Sequence, residues 1–343
     1  MRAARLIGPG RFELADIPRP ALGPGEVLIQ VAANSICGSD LSAFRGLHPR
    51  IRPPTVLGHE FAGSVAEIGP EVQNVTVGMR VCAEPNLACG RCRYCLRGQP
   101  NICLDYKVIG EAEALGGACA EFVKVPAEQL YHLPDRVSFE EGALVQPLSI
   151  AYHAVRDRAE VADGELALIL GAGPIGLGVM LAARSFGART IVADLLDYRL
   201  QLARSLGADL VVNSREQDLA AVVQDQSDGY GVHVAFEAVG GGQSATFEQA
   251  VRLTARAGRV VVLGSFASNA VPFPIVDFKF REIDVRGSQG HPNTFRPTLD
   301  LIALGALPAR RLITHRVPLA EISEAFRLLE SKEGGVMKVI IEP

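Results

Sequence analysis

Leu166-Ala-Leu-Ile-Leu170, Gly171-Ala-Gly-Pro-Ile-Gly176 and Thr190-Ile-Val-Ala-Asp194 decide how this chain is read. The first run is short and apolar, and the second is a glycine turn. An apolar helical pattern continues to about Gly187, and the third run is β-branched and ends on an acid. Strand, glycine turn, helix, strand and acid together predict a βαβ unit that binds a dinucleotide. Gly171 permits the tight turn, and Gly173 lets backbone approach a pyrophosphate. Pro174 and Ile175 complete the turn at the helix N-terminus, whose N–H groups suit phosphate. Gly176 lets the helix lie close on the strand. Asp194 falls where a carboxylate accepts hydrogen bonds from the adenosine ribose hydroxyls.

Leu166 to Ala183 carries no charge, which by length alone raises a membrane span. The Gly-Ala-Gly-Pro break in its middle argues for a buried strand feeding a buried helix instead. At 343 residues the chain exceeds one comfortable core, so two domains are expected. Charged residues make up 21% and hydrophobic ones 48%, ordinary values for a globular protein. A net charge of −4 gives no footprint for nucleic acid or a membrane surface. The N-terminal stretch lacks the apolar core of a signal peptide. Seven cysteines, clustered rather than paired along the chain, point to metal in a reducing compartment, hence a cytoplasmic location.

Outward from the glycine turn, the chain separates into two styles. Before about residue 138 it reads as short strands, among them Val27–Val31, Phe61–Ile68 and Phe122–Val125, broken by Pro and Gly. Such spacing predicts a small barrel or sandwich. Ser138-Phe-Glu-Glu141 is a capping box that opens a helical stretch, and a second helical pattern runs to about Val155. From Leu166 strands alternate with helices through Asp209–Asn213, Val232–Glu237, Arg259–Gly264 and Ile283–Gly287, a doubly wound pattern. The segment from Ser288 adds helices near Thr298–Leu304 and Glu321–Leu329, then a strand at Met337–Ile341.

Cys89, Cys92, Cys95 and Cys103 give C-x2-C-x2-C-x7-C, which suits one tetrahedral zinc with every position filled. An iron–sulfur cluster agrees in ligand number, but the spacing fits ferredoxin patterns poorly. A second set is scattered: Cys37, then His59 and Glu60. One thiolate, one imidazole and one carboxylate leave room for water or substrate, the pattern of an open catalytic zinc. Taken singly, Cys37 reads as a small buried hydrophobe and His59 as a core residue; only the conjunction makes the metal reading. Ser39, two positions after Cys37, is placed to pass a proton outward. Cys82 and Cys119 have no partner pattern and are assigned to the core.

With these residues in view, the chain resembles the zinc-dependent medium-chain dehydrogenases, in the sorbitol (polyol) and threonine dehydrogenase branch. The resemblance spans essentially the whole chain. It rests on Cys37-Gly-Ser-Asp40, Gly58-His-Glu60, the run Cys89 to Cys103, Gly171 to Gly176, Asp194, Thr314 to Leu319 and Ala325-Phe326. It implies an α/β protein: a GroES-like β-barrel catalytic domain over residues 1–149, a Rossmann NAD-binding domain over 150–287, and a tail, 288–343, returning to the first. It also implies that Gln146 stands at the remaining protein ligand of the catalytic zinc, where relatives often carry Glu or Cys. Two departures are visible: Ser42 replaces a proton-relay histidine, and Gly290-His291 replaces the Arg-Tyr of polyol dehydrogenases.

The expected activity is zinc-dependent oxidation of a secondary alcohol, of polyol, sugar or sugar-acid type, to its ketone by hydride transfer to NAD. Threonine dehydrogenase-like or other alcohol dehydrogenase chemistry is the alternative, and a non-catalytic cofactor-binding protein the rival of a different class. Asp194 favours NAD because a 2′-phosphate would meet its charge, while Arg199 nearby pulls toward that phosphate. The expected partners are a small alcohol and, from the resemblance, further copies in a homodimer or homotetramer.

Overall fold

The computed structural model describes residues 1–111, 115–241, 244–265 and 269–343. The chain clusters into two compact units, Met1–Pro147 with Phe295–Pro343, and Leu148–Thr294. These divisions differ a little from the sequence boundaries. Ser288–Thr294, read as the start of the returning tail, stays with the second unit: Ser288 N donates to Val262 O (2.9 Å), and Thr294 Oγ1 donates to Ser149 O (3.2 Å).

The first unit is built on Glu26–Ser35, a largely buried strand in which only Gln30 and Ala32 are exposed, and which pairs on both sides. Glu60–Ile68 lies antiparallel to it with Ser35 opposite Glu60. Phe122–Pro126 and Lys338–Glu342 also pair with it, the latter placing Ile340 opposite Ser35. A separate three-stranded sheet joins Arg11–Asp16, Arg2–Gly8 and Thr55–Val56. Ser138 caps the short helix Phe139–Ala143 through the expected reciprocal box: Ser138 Oγ accepts Glu141 N (3.2 Å) and Ser138 N donates to Glu141 Oε2 (3.0 Å). The helical pattern beyond it is Val145–His153, continued by a wider π turn over Ala154–Ala159.

In the second unit six parallel strands lie in the order Leu210–Asn213, Arg189–Asp194, Leu166–Leu170, Val232–Glu237, Thr254–Val262, Asp284–Gly287. The sheet starts in its middle, moves outward to one edge, then returns to build the other half. This is the doubly wound order, and its switch point lies between Leu166–Leu170 and Val232–Glu237. Leu166–Leu170 is buried along its whole length, which explains its unbroken apolarity. Among the described residues no helix is long and apolar enough to cross a membrane.

Candidate metal centres and dinucleotide site

The turn after Leu170 is set by backbone. Gly171 has φ +97°, and a Cβ at Gly176 would stand 1.8 Å from Gly171 O, so neither position accepts a side chain. Pro174 and Ile175 open the helix Pro174–Ser185, with Gly173 as its N-cap. Asp194 is already tied to this turn: Oδ2 accepts Ala172 N (2.7 Å), and Oδ1 accepts Leu195 N (2.7 Å) and Leu196 N (3.0 Å). Arg199 Nη1 lies 3.5 Å from Asp194 Oδ2 and borders Gly173. The acid, the basic residue and the glycine turn therefore form one cluster at the C-terminal ends of the strands.

Cys89, Cys92, Cys95 and Cys103 converge with their sulfurs within 4.8 Å of one another. Cys92 Sγ is 3.5 Å from Cys95 Sγ and 3.9 Å from Cys103 Sγ. Backbone N–H groups point at the sulfurs, Cys92 N at Cys89 Sγ and Asp105 N at Cys103 Sγ, each at 3.3 Å. Such donors stabilise thiolate: the N–H groups of Cys95 and Leu104 pull the Cys92 thiol down to about 6. Cys82 and Cys119 are fully buried core residues, as expected.

Cys37, His59 and Glu60 meet in the same unit, their ligand atoms also within 4.8 Å. The sheet register explains how. Ser35 ends one strand opposite Glu60, which begins the next, and Cys37 follows as the N-cap of the helix Gly38–Phe44. Ser39 sits half-buried in the first turn of that helix. Asp40, quoted in the motif but given no role by sequence, joins the Cys37 and His59 segments. Its Oδ2 accepts Cys37 N (2.9 Å), and its Oδ1 is 3.5 Å from His59 Nδ1, leaving Nε2 for a metal. Burial alone would lower the His59 pKa, yet Asp40 and Cys37 push it well above the ordinary imidazole value. Negative charge is gathered around this ring, a field that favours a cation.

Sequence reasoning missed Lys338. Its side chain is 4% exposed; Nζ is 2.5 Å from Glu60 Oε2 and donates to Ile36 O at 3.0 Å. Its strand lies beside Ser35, so the lysine arrives next to the residue preceding Cys37. Gln146 is 5% exposed, on the helix Val145–His153. Among the described residues, Gln146 Oε1 and Glu60 Oε1 are buried polar atoms with no hydrogen-bond partner. Orphaned acceptors are costly in a dry interior and suit a site that holds a metal ion.

Comparison with known proteins agrees with this geometry. Residues 23–135 match the alcohol dehydrogenase GroES-like domain, and residues 174–303 match the zinc-binding dehydrogenase domain. The chain belongs to the zinc-binding medium-chain alcohol dehydrogenases. L-idonate 5-dehydrogenase of Vitis vinifera is 38% identical over 98% of the chain and 93% of that protein. Sorbitol dehydrogenase of Bacillus subtilis (strain 168) is 33% identical over 100% and 97%. A zinc-binding dehydrogenase of Sinorhizobium meliloti 1021, solved bound to NADP, superposes with TM-score 0.93 at 33% identity, covering 100% and 99%. This dehydrogenase is thus an oxidoreductase of the zinc-type, NAD(P)-linked class in the polyol dehydrogenase branch, with the GroES-like and Rossmann folds expected from sequence.

Proposed function

We propose that this dehydrogenase oxidises a secondary alcohol of a polyol, sugar or sugar acid to the ketone, reversibly, with NAD preferred over NADP. The observation that carries the reading is the Cys37–His59–Glu60 constellation with its orphaned buried acceptors, in a chain that also holds a dinucleotide turn. Cys37, His59 and Gln146 would hold the catalytic zinc, with Glu60 beside it, and the four cysteines would hold a structural zinc. When bound, zinc supplies a Lewis acid that lowers the pKa of a hydroxyl, and NAD supplies the hydride acceptor.

The chain's own residues do the remaining work. Asp40 fixes the His59 ring through Nδ1. Ser39 takes the hydroxyl proton and passes it outward along its own O–H. Lys338 holds one oxygen of Glu60 and leaves the other free to accept from water or a metal. Asp194 accepts from the adenosine ribose and, by its charge, opposes a 2′-phosphate. Arg199, 3.5 Å away, offsets part of that charge and keeps the preference moderate.

The protein works as a homodimer or homotetramer in the cytoplasm. Supporting an assembly, Ile275, Val276 and Phe280 are 58%, 66% and 68% exposed on the helix Ile275–Phe280, just before the sheet-edge strand Asp284–Gly287. Zinc-loaded enzyme screened for NAD reduction over polyols, sugars, sugar acids and amino alcohols tests the activity. Turnover of a polyol or sugar acid is expected, and turnover confined to amino alcohols would overturn the substrate assignment.

A further inference from the structure

Beside the proposed catalytic zinc residues lies a second polar cluster that the mechanism above does not use. His48 sits on the loop after the helix Gly38–Phe44, and Glu111 follows the short strand Lys107–Val108. Two observations connect them to the metal residues. A Cβ at Gly110 would stand 2.5 Å from Gly58 O, so Glu111 is one residue from backbone contact with the segment carrying His59. The charges of Asp40 and His59 also reach the His48 ring.

The local bonds fix what each group offers. His48 Nδ1 accepts the N–H groups of Arg50 (3.3 Å) and Ile51 (3.2 Å). A ring nitrogen that accepts carries no proton, so the neutral imidazole holds its hydrogen on Nε2. Burial favours that neutral form by holding the ring below its ordinary pKa, although Glu111 opposes the shift. Glu111 Oε2 is occupied by Arg50 Nη2 at 2.6 Å. Glu111 Oε1 lies 3.9 Å from His48 Nε2, beyond direct hydrogen-bond reach. The two side chains are only 10% and 12% exposed. A donor and a carboxylate oxygen at that separation are spanned by one hydroxyl, which accepts from the ring at about 2.9 Å and donates to the carboxylate at about 2.7 Å.

We propose that His48 Nε2 and Glu111 Oε1 form a hydroxyl-reading pair, binding a hydroxyl of the polyol or sugar other than the one being oxidised. This rests on the alcohol dehydrogenase reading above and makes both residues specificity-determining. A simple secondary alcohol has no second hydroxyl to fill the gap, and a site built to bond a hydroxyl discriminates against a substrate lacking it.

The test compares kcat/KM for pentitols (xylitol, ribitol, arabitol) with that for 2-butanol, in zinc-loaded enzyme with NAD. His48→Asn and Glu111→Gln are each expected to lower the pentitol to 2-butanol ratio about tenfold, chiefly through the pentitol KM. Glu111→Asp, which keeps a carboxylate for Arg50, replaces Glu111→Gln if the latter fails to fold. A ratio within twofold of wild type in folded variants of both positions overturns the inference. So does wild-type enzyme that turns over 2-butanol and no pentitol. Wild-type enzyme that oxidises no alcohol of any kind defeats the dehydrogenase reading itself, and this one with it.

Discussion

Lys338 Nζ lies 2.5 Å from Glu60 Oε2, with the two side chains 4% and 1% exposed. Removing one member of such a pair strands a charge in a dry interior. Lys338→Met should therefore cost about 3–5 kcal/mol of stability in urea unfolding of zinc-free protein. Adding Glu60→Gln should recover most of that loss, because both charges are then gone. Simple additivity of the two single costs would show that the pair is not energetically coupled.

In the proposed zinc site Gln146 would contribute a neutral carbonyl in place of a carboxylate. Cys37 would then be the single anion among Cys37, His59 and Gln146. Gln146→Glu should retain zinc about tenfold longer under chelator challenge and move the pH–rate profile upward, since added negative charge disfavours an ionised substrate oxygen. Gln146→Ala should lose zinc faster. Unchanged retention in both variants would remove Gln146 from the ligand set.

The four-cysteine lobe makes a pH prediction. Without metal, Cys92 sits at about 6, whereas burial and neighbouring thiols push Cys95 up to about 12. At pH 7 Cys92 is already largely thiolate and Cys95 must give up its proton when zinc binds. Zinc affinity should fall as pH falls, most steeply below about 6, where Cys92 also protonates. Dye-detected zinc release between pH 7 and 5 checks the sign. Cys92→Ser should reduce bound zinc from about two to about one per chain at pH 7.

Asp194 closes the glycine turn through Ala172 N and, in the proposed function, would present its charge to the adenosine ribose. Asp194→Ser should narrow the NAD over NADP preference in kcat/KM by about tenfold, the worth of roughly 1.4 kcal/mol. Part of the NAD loss should appear as a higher KM, because Ala172 N loses its acceptor. A preference unmoved by the substitution would give control of the 2′ position to other residues.

Glu237 ends the strand Val232–Glu237 with its side chain sealed off, its Oε1 accepting from Thr246 Oγ1 (2.8 Å) and Val239 N (3.2 Å). Burial outweighs these bonds and raises its pKa to about 7, from an ordinary 4.5. The folded state thus binds this proton more tightly than the unfolded chain. Its contribution is fully present below about 4.5 and is lost as pH rises through about 7, an effect on the order of 3 kcal/mol. Glu237→Gln should flatten the decline in stability between pH 5 and 8, read from urea midpoints.

The parts that were legible in the sequence are local. The glycine turn, its two strands and Asp194 lie within a single stretch, and four cysteines within fifteen residues announce themselves by spacing. Periodicity also gave the strands Leu166–Leu170 and Val232–Glu237 nearly residue for residue. It placed the start of the fifth strand at Arg259, although the strand begins at Thr254. Ala255, Arg256 and Ala257 interrupt the β-branched run, and only pairing with neighbouring strands reveals the extension. Lys338 is one polar residue in an otherwise apolar strand pattern, Met337–Ile341. Its role depends on that strand's register beside Ser35, a fact of three dimensions. His48 and Glu111 carry no motif, and their relation appears only when Gly110 packs on Gly58. Asp40 had a weak local signal, an acid three residues after the cap position of a helix.

The separation of 278 positions from Glu60 to Lys338 also sets a clock on the ribosome. The whole Leu148–Thr294 unit is translated in the interval, so that unit can collapse while the barrel still lacks a strand. At roughly 5–20 residues per second, Glu60 waits about 14–56 s for its counter-ion. During that time the edge of Glu26–Ser35 that will receive Lys338–Glu342 is open to other chains. The nascent protein is therefore most exposed to mispairing late in synthesis, at the same strand that ends two residues before Cys37.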